Sequence, residues 1–210
     1  MNRFLANIRC RIKIRMESYD EMARNRGRIL TENCFNNVVA NLVGGNFITG
    51  LLLYFHASTM QIGMLNIIIY ICNTLQILSP LLLERLPRRK TFLICSRAII
   101  HFINVVLIGL IAVLPSTDQT KVILILGAQA LLNLVSFTNS GFSIWHMKSV
   151  PEDKRANFFS MNQITIYASI YFFLLIGSFV VDWFKAAGME LTGMLCLRGA
   201  AVVFAVLDIL

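Results

Sequence analysis

Charge is what this chain has least of. Charged residues make up 14% of its 210 residues, where a soluble domain carries about 25%. Hydrophobic residues make up 57%, and the mean hydropathy is +0.69. A soluble helical protein with a large core does not fit that balance. The few charges are also bunched: eight of the 19 Lys and Arg lie before Asn33, and most of the others fall in short loops. Between the loops run apolar stretches of about 20 residues, which match a helix crossing a hydrocarbon core of roughly 30 Å at 1.5 Å per residue. The chain reads as an integral, multi-pass membrane protein surrounded by a lipid bilayer.

Paired cysteines and clustered histidines are lacking too. The five cysteines (Cys10, Cys34, Cys72, Cys95, Cys196) follow no paired spacing and read as small apolar residues, with neither a disulfide framework nor a metal site. His56, His101 and His146 are scattered along the chain. A membrane enzyme would need His, Asp, Glu or Cys gathered at one membrane face, so the expectation is no enzyme, no cofactor and no metal. An uninterrupted apolar core is missing from residues 1–32, which excludes a cleaved signal peptide, and Glu17, Asp20, Glu21 and Glu32 argue against a transit peptide. This segment reads as a basic cytoplasmic tail, either an amphipathic helix on the membrane surface or partly disordered.

Six helices are expected, at about 34–55, 62–83, 91–114, 122–145, 161–183 and 194–210. Pro115 stops the third. Pro151, followed by Glu152 and Asp153, suits the start of the fifth, because proline fits a first helical turn and acids favour the positive end of the helix dipole. The net charge of +8 would suggest nucleic acid in a soluble protein; here it reports orientation, and no nucleic-acid partner is expected. With the N-terminus in the cytoplasm, fifteen Lys and Arg fall on that side and two, Lys121 and Lys185, on the other, leaving Arg97 and Arg198 inside the apolar runs. Basic residues collect in cytoplasmic loops, so the chain is expected in the plasma (inner) membrane with its N-terminus inside.

The most charge-dense loop, 79–90, reads SPLLLERLPRRK. It follows the second helix on the cytoplasmic side, and there the chain resembles the major facilitator superfamily of secondary transporters, whose signature reads roughly Gly-x-x-x-Asp-Arg-x-Gly-Arg-(Arg/Lys). Glu84, Arg85, Arg88 and Arg89 match it in type and spacing, while Pro80 and Pro87 replace both glycines and glutamate replaces aspartate. The loop with Trp145, Val150-Pro151-Glu152, Arg155 and Phe158-Phe159 is similar to that between the fourth and fifth helices of many bacterial members. The resemblance covers about 33–210.

The resemblance implies an all-α fold of two inverted three-helix repeats, the N-terminal six-helix half of a twelve-helix transporter, truncated within its sixth helix and lacking its C-terminal partner half. It implies secondary active transport of a small solute by alternating access, with a coupling ion unassigned. A stand-alone six-helix scaffold or interaction module, or a half-transporter acting as a dimer, is the alternative. It further implies that Glu84, Arg85, Arg88 and Arg89 form a conformational latch on the cytoplasmic side; the same basic residues would also suit simple anchorage to anionic headgroups.

Within the bilayer, Arg97 lies roughly 10 Å deep, with His101 four residues on and Asn104 seven on, all on one helical face. They can line a polar path for an anionic group or a proton; alternatively Arg97 snorkels to the surface and His101 bonds between helices. Asn37 and Asn41 in the first helix, Asn73 in the second, and Gln129 and Asn133 in the fourth are candidate cavity-lining amides for a solute, or equally glue between helices. The central parts of the first five helices carry no acid, which speaks against a proton relay confined to them.

Overall fold

The computed structural model describes residues 2–79 and 89–209. The side chains of residues 2–22, 89, 90, 137, 140, 148 and 149 lie outside that description. The described residues are helical, with no strand among them. In chain order the helices are α1 (Asn2–Val43), α2 (Gly45–Tyr54), α3 (Thr59–Leu75), α4 (Arg89–His101), α5 (Ile108–Val113), α6 (Asp118–Val135), α7 (Asn139–Ser149), α8 (Arg155–Ala186) and α9 (Glu190–Ile209).

Among the described residues, five stretches are long and apolar enough to cross a membrane: Ala23–Tyr54, Thr59–Leu78, Thr91–Val113, Glu152–Ala186 and Glu190–Ile209. The helix expected at 122–145 is present but divided, because a 3-10 turn at Ser136–Thr138 separates α6 from α7. It is not among these five; α6 opens on Asp118, Gln119, Thr120 and Lys121 and carries Gln129 and Asn133. The first helix also differs from expectation. It does not start at Cys34; α1 runs without a break through residues 2–43, so Glu32 belongs to the spanning helix.

The interruptions have local causes. α1 gives way to α2 at Gly44 and Gly45. A Cβ at Gly44 would lie 2.4 Å from the main-chain oxygen of Ala40, and Gly45 has φ +49°, a conformation that costs a side-chain-bearing residue. α3 begins in a capping box: Ser58 Oγ accepts from the Gln61 amide at 3.3 Å, and Gln61 Oε1 accepts from the Ser58 amide at 2.8 Å, so each residue satisfies an amide that the first turn leaves open. Between α4 and α5 the chain makes a π-turn over Phe102–Leu107. Proline at 115 then follows the end of α5, as it cannot continue the helix.

α1 packs lengthwise on α9 and α8, which also pack on each other, and α3 lies along α6. Two apolar cores result. In one, Ile48, Leu51 and Leu52 of α2 meet Ile108, Val122, Ile125 and Met194. In the other, Val38, Val39 and Leu42 of α1 meet Val105, Leu197 and Ala201. Outside these cores, α8 exposes Ile164, Tyr171, Phe172, Leu175 and Phe179, and α3 exposes Ile67, Tyr70 and Ile71. Helices that are apolar on their outer faces as well as their inner ones belong in a membrane.

Candidate functional site

Five titratable side chains converge where α1, α4, α7 and α9 meet at one end of the bundle. Arg97 of α4 is the centre. Its Nη1 donates to Glu32 Oε1 of α1 and lies 3.4 Å from Asp208 Oδ1 of α9. Asp208 Oδ2 pairs with His101 Nε2 at 2.7 Å; an ionised carboxylate can only accept, so the imidazole N–H donates. On the other flank, His146 Nε2 of α7 stands 3.6 Å from Glu32 Oε2. The order is therefore imidazole, carboxylate, guanidinium, carboxylate, imidazole.

Burial makes the arrangement costly and therefore informative. The Asp208 side chain is fully buried, Arg97 is 7% exposed, and Glu32 retains 24%. A charge in a membrane interior is held only by opposite charge and hydrogen bonds. Arg97 has both carboxylates on Nη1, and its guanidinium also sits 3.9 Å from the centre of the Phe142 ring, an attractive cation–π contact. Among the described residues its Nε is buried without a hydrogen-bond partner, as is His146 Nε2. The formal charge of the set is −1 when both imidazoles are neutral, since two carboxylates face one guanidinium. A cavity of about 620 Å³ opens onto it, lined by Arg28, Thr31, Glu32, Arg97, Trp145 and Asp208 among others.

A second polar structure lies further along the bundle. Arg198 of α9 is buried and donates to two main-chain oxygens, Asn104 at 2.6 Å and Val43 at 3.4 Å. Beyond it, at the opposite end, Lys185 pairs with Glu190 at 3.5 Å and Lys121 lies 4.7 Å from the centre of the Phe55 ring. A cavity of about 650 Å³ there is lined by Tyr54, His56, Asp118 and Lys121. No group of His, Cys, Asp and Glu among the described residues is spaced to hold a metal ion.

Of the residues singled out in the sequence, Arg97 and His101 are brought together in this network. The amides are not. Asn37 donates to the Asn33 carbonyl and Asn41 to the Asn37 carbonyl, both at 2.8 Å; Asn133 donates to the Gln129 carbonyl at 2.8 Å. Asn73 accepts from Gln76 at 3.0 Å on an exposed surface, and Gln129 is buried on α6. Glu84, Arg85 and Arg88 lie outside the described residues, as does the side chain of Arg89, which opens α4.

Sequence reasoning missed Glu32, His146 and Asp208. In the sequence Glu32 falls in the tail, His146 just after the fourth expected helix, and Asp208 in the last apolar run. One signal was available: a buried arginine in a bilayer requires a carboxylate, and Glu32 and Asp208 are acids at the edge of or inside apolar stretches.

Comparisons with protein-family models, with curated proteins and with solved structures found no match to this chain.

Proposed function

We propose that this chain is the six-helix N-terminal half of a secondary active transporter of the major facilitator type, moving a small solute by alternating access. The observation that carries the reading is the buried network of Glu32, Arg97, His101, His146 and Asp208. A scaffold that only holds its place in a bilayer gains nothing from two carboxylates, a guanidinium and two imidazoles at the junction of four helices. Such groups mark ion and substrate pathways. The network joins α1, α4, α7 and α9 within this half, and it borders an open cavity.

Two further features agree. The loop at 79–90 carries the acid and basic residues of the superfamily signature, and in this reading Glu84, Arg85, Arg88 and Arg89 form the latch of the cytoplasmic side. The split of fifteen basic residues against two fits a bundle with its network end in the cytoplasm. The fold expected on this reading is two inverted three-helix repeats, with a second six-helix half completing the substrate site. The test is solute flux in vesicles bearing the full-length protein, screened against amino acids, sugars and drugs. Saturable flux that is lost in Arg97→Met, with membrane insertion retained, supports the reading; no flux of any solute class refutes it.

A further inference from the structure

We infer that His146 is a proton-binding site whose occupation draws α7 against α1 and narrows the cavity between them. This rests on the transport reading and names the proton as its coupling ion, but the site itself is testable without transport.

The two ends of the network are unequal. At one end His101 is already engaged, 2.7 Å from a fully buried Asp208. At the other end His146 is buried, yet among the described residues its Nε2 has no hydrogen-bond partner. Glu32 Oε2 lies 3.6 Å away, just beyond hydrogen-bonding reach. An imidazole that is buried, unpartnered and aimed at a carboxylate is an open position for a proton.

The groups facing His146 set the direction of the effect. From α1 come Glu32 and, on the cavity wall, Arg28; from α4 come Arg97 and His101; from α9 comes Asp208. On its own helix the side chain of Lys148 lies outside the described residues. With the imidazoles neutral the buried set carries −1, so one added proton neutralises it. Two charges of opposite sign at this separation attract strongly where water is scarce. The proton reaches Nε2 from the cavity, no bond other than the new N–H forms, and the gap to Glu32 closes into a charge-assisted hydrogen bond. Glu32 keeps Oε1 on Arg97 while Oε2 takes the imidazolium, so the same carboxylate then joins α4, α1 and α7.

Trp145 reports the event, because it lines the cavity and its ring centre is 6.1 Å from that of His146. Trp183 is the other tryptophan, so Trp183→Phe leaves one emitter. In lipid vesicles, Trp145 fluorescence of this variant is expected to change in a single step as the pH is lowered. His146→Gln should abolish that transition, and Glu32→Gln should lower its midpoint by about one pH unit, since the imidazolium loses its counter-charge. A transition that survives His146→Gln overturns the proposal, as does a parent with none. Should His146→Gln fail to fold, an unmoved midpoint in Glu32→Gln overturns it equally. Titration with solute flux indifferent to a proton gradient overturns the coupling, whereas titration with no flux at all sinks the transport reading and leaves the proton site standing.

Discussion

Arg198 donates from Nη1 to the main-chain oxygen of Asn104 at 2.6 Å, inside the π-turn. Its Nη2 reaches the oxygen of Val43 at 3.4 Å, the last residue of α1 before the break. The Val43 oxygen would ordinarily accept from the Phe47 amide, but that amide bonds to Gly44 at 3.0 Å instead. Two helix interruptions on two elements are thus served by one side chain from a third. In a bilayer an unserved carbonyl has no water to turn to, so the guanidinium is what permits both breaks at the same level.

Arg198→Met should therefore destabilise the bundle. Each orphaned carbonyl costs about 1–3 kcal/mol, partly offset because a buried cation is removed; a net loss of roughly 2 kcal/mol is expected. Thermal unfolding in detergent measures it. Amide exchange should rise at Phe47 and across residues 102–107 first. An unchanged melt with unchanged exchange would show that the breaks are held by packing alone.

Arg97→Met leaves Glu32 and Asp208 buried without their cation, which should cost about 3–5 kcal/mol. The loss comes from uncompensated charge, so neutralising the carboxylates should restore most of it. The triple variant Arg97→Met, Glu32→Gln, Asp208→Asn is expected to melt close to the parent. If it melts with the single variant, the packing of the Arg97 stem, and not the ion pairs, holds this junction.

The membrane character, the all-helical class and most of the spans were legible because each is a local property: a run of about 20 apolar residues is read without knowing its neighbours. The π-turn was not, since nothing local in Phe102–Leu107 forbids an ordinary helix, and its stabilising contact comes from Arg198, 94 residues away. The junction of Arg97 with Glu32 and Asp208 spans 65 and 111 residues, beyond the reach of any periodicity. The asparagines show why spacing alone assigns no role. A spacing of four places Asn33, Asn37 and Asn41 on one face, but it is also the distance at which an amide bonds back to the preceding turn, and that is where Asn37 and Asn41 donate.

Two glycines should behave oppositely to two others. At Gly193 a Cβ would lie 2.7 Å from Phe184 Cβ, and at Gly177 it would meet Phe47 and Leu42 at 3.1 and 3.3 Å. Gly193→Ala forces α9 off α8 and should cost about 1–3 kcal/mol; Gly177→Ala should cost less, as the flexible Leu42 can yield. Gly63 and Gly127 have nothing within 4 Å, so alanine there should stabilise the helix by about 0.5–1 kcal/mol. Melting temperatures of the four variants give the order directly, and equal effects at Gly193 and Gly127 would contradict the close approach of α8 and α9.

The latch proposed for the 79–90 loop makes a prediction separable from folding. Glu84 and Arg88 are four residues apart and can pair if helix continues between them, although Pro87 stands in the way. If their role is to steady one state of the transport cycle, Glu84→Ala in the full-length protein should lower solute flux at least tenfold while leaving membrane insertion and the melting temperature unchanged. The charge reversal Glu84→Arg with Arg88→Glu should recover part of that flux. If the loop serves only to anchor basic residues at anionic headgroups, removing one acid raises its net positive charge, binding to anionic vesicles strengthens, and flux stays at the parental rate.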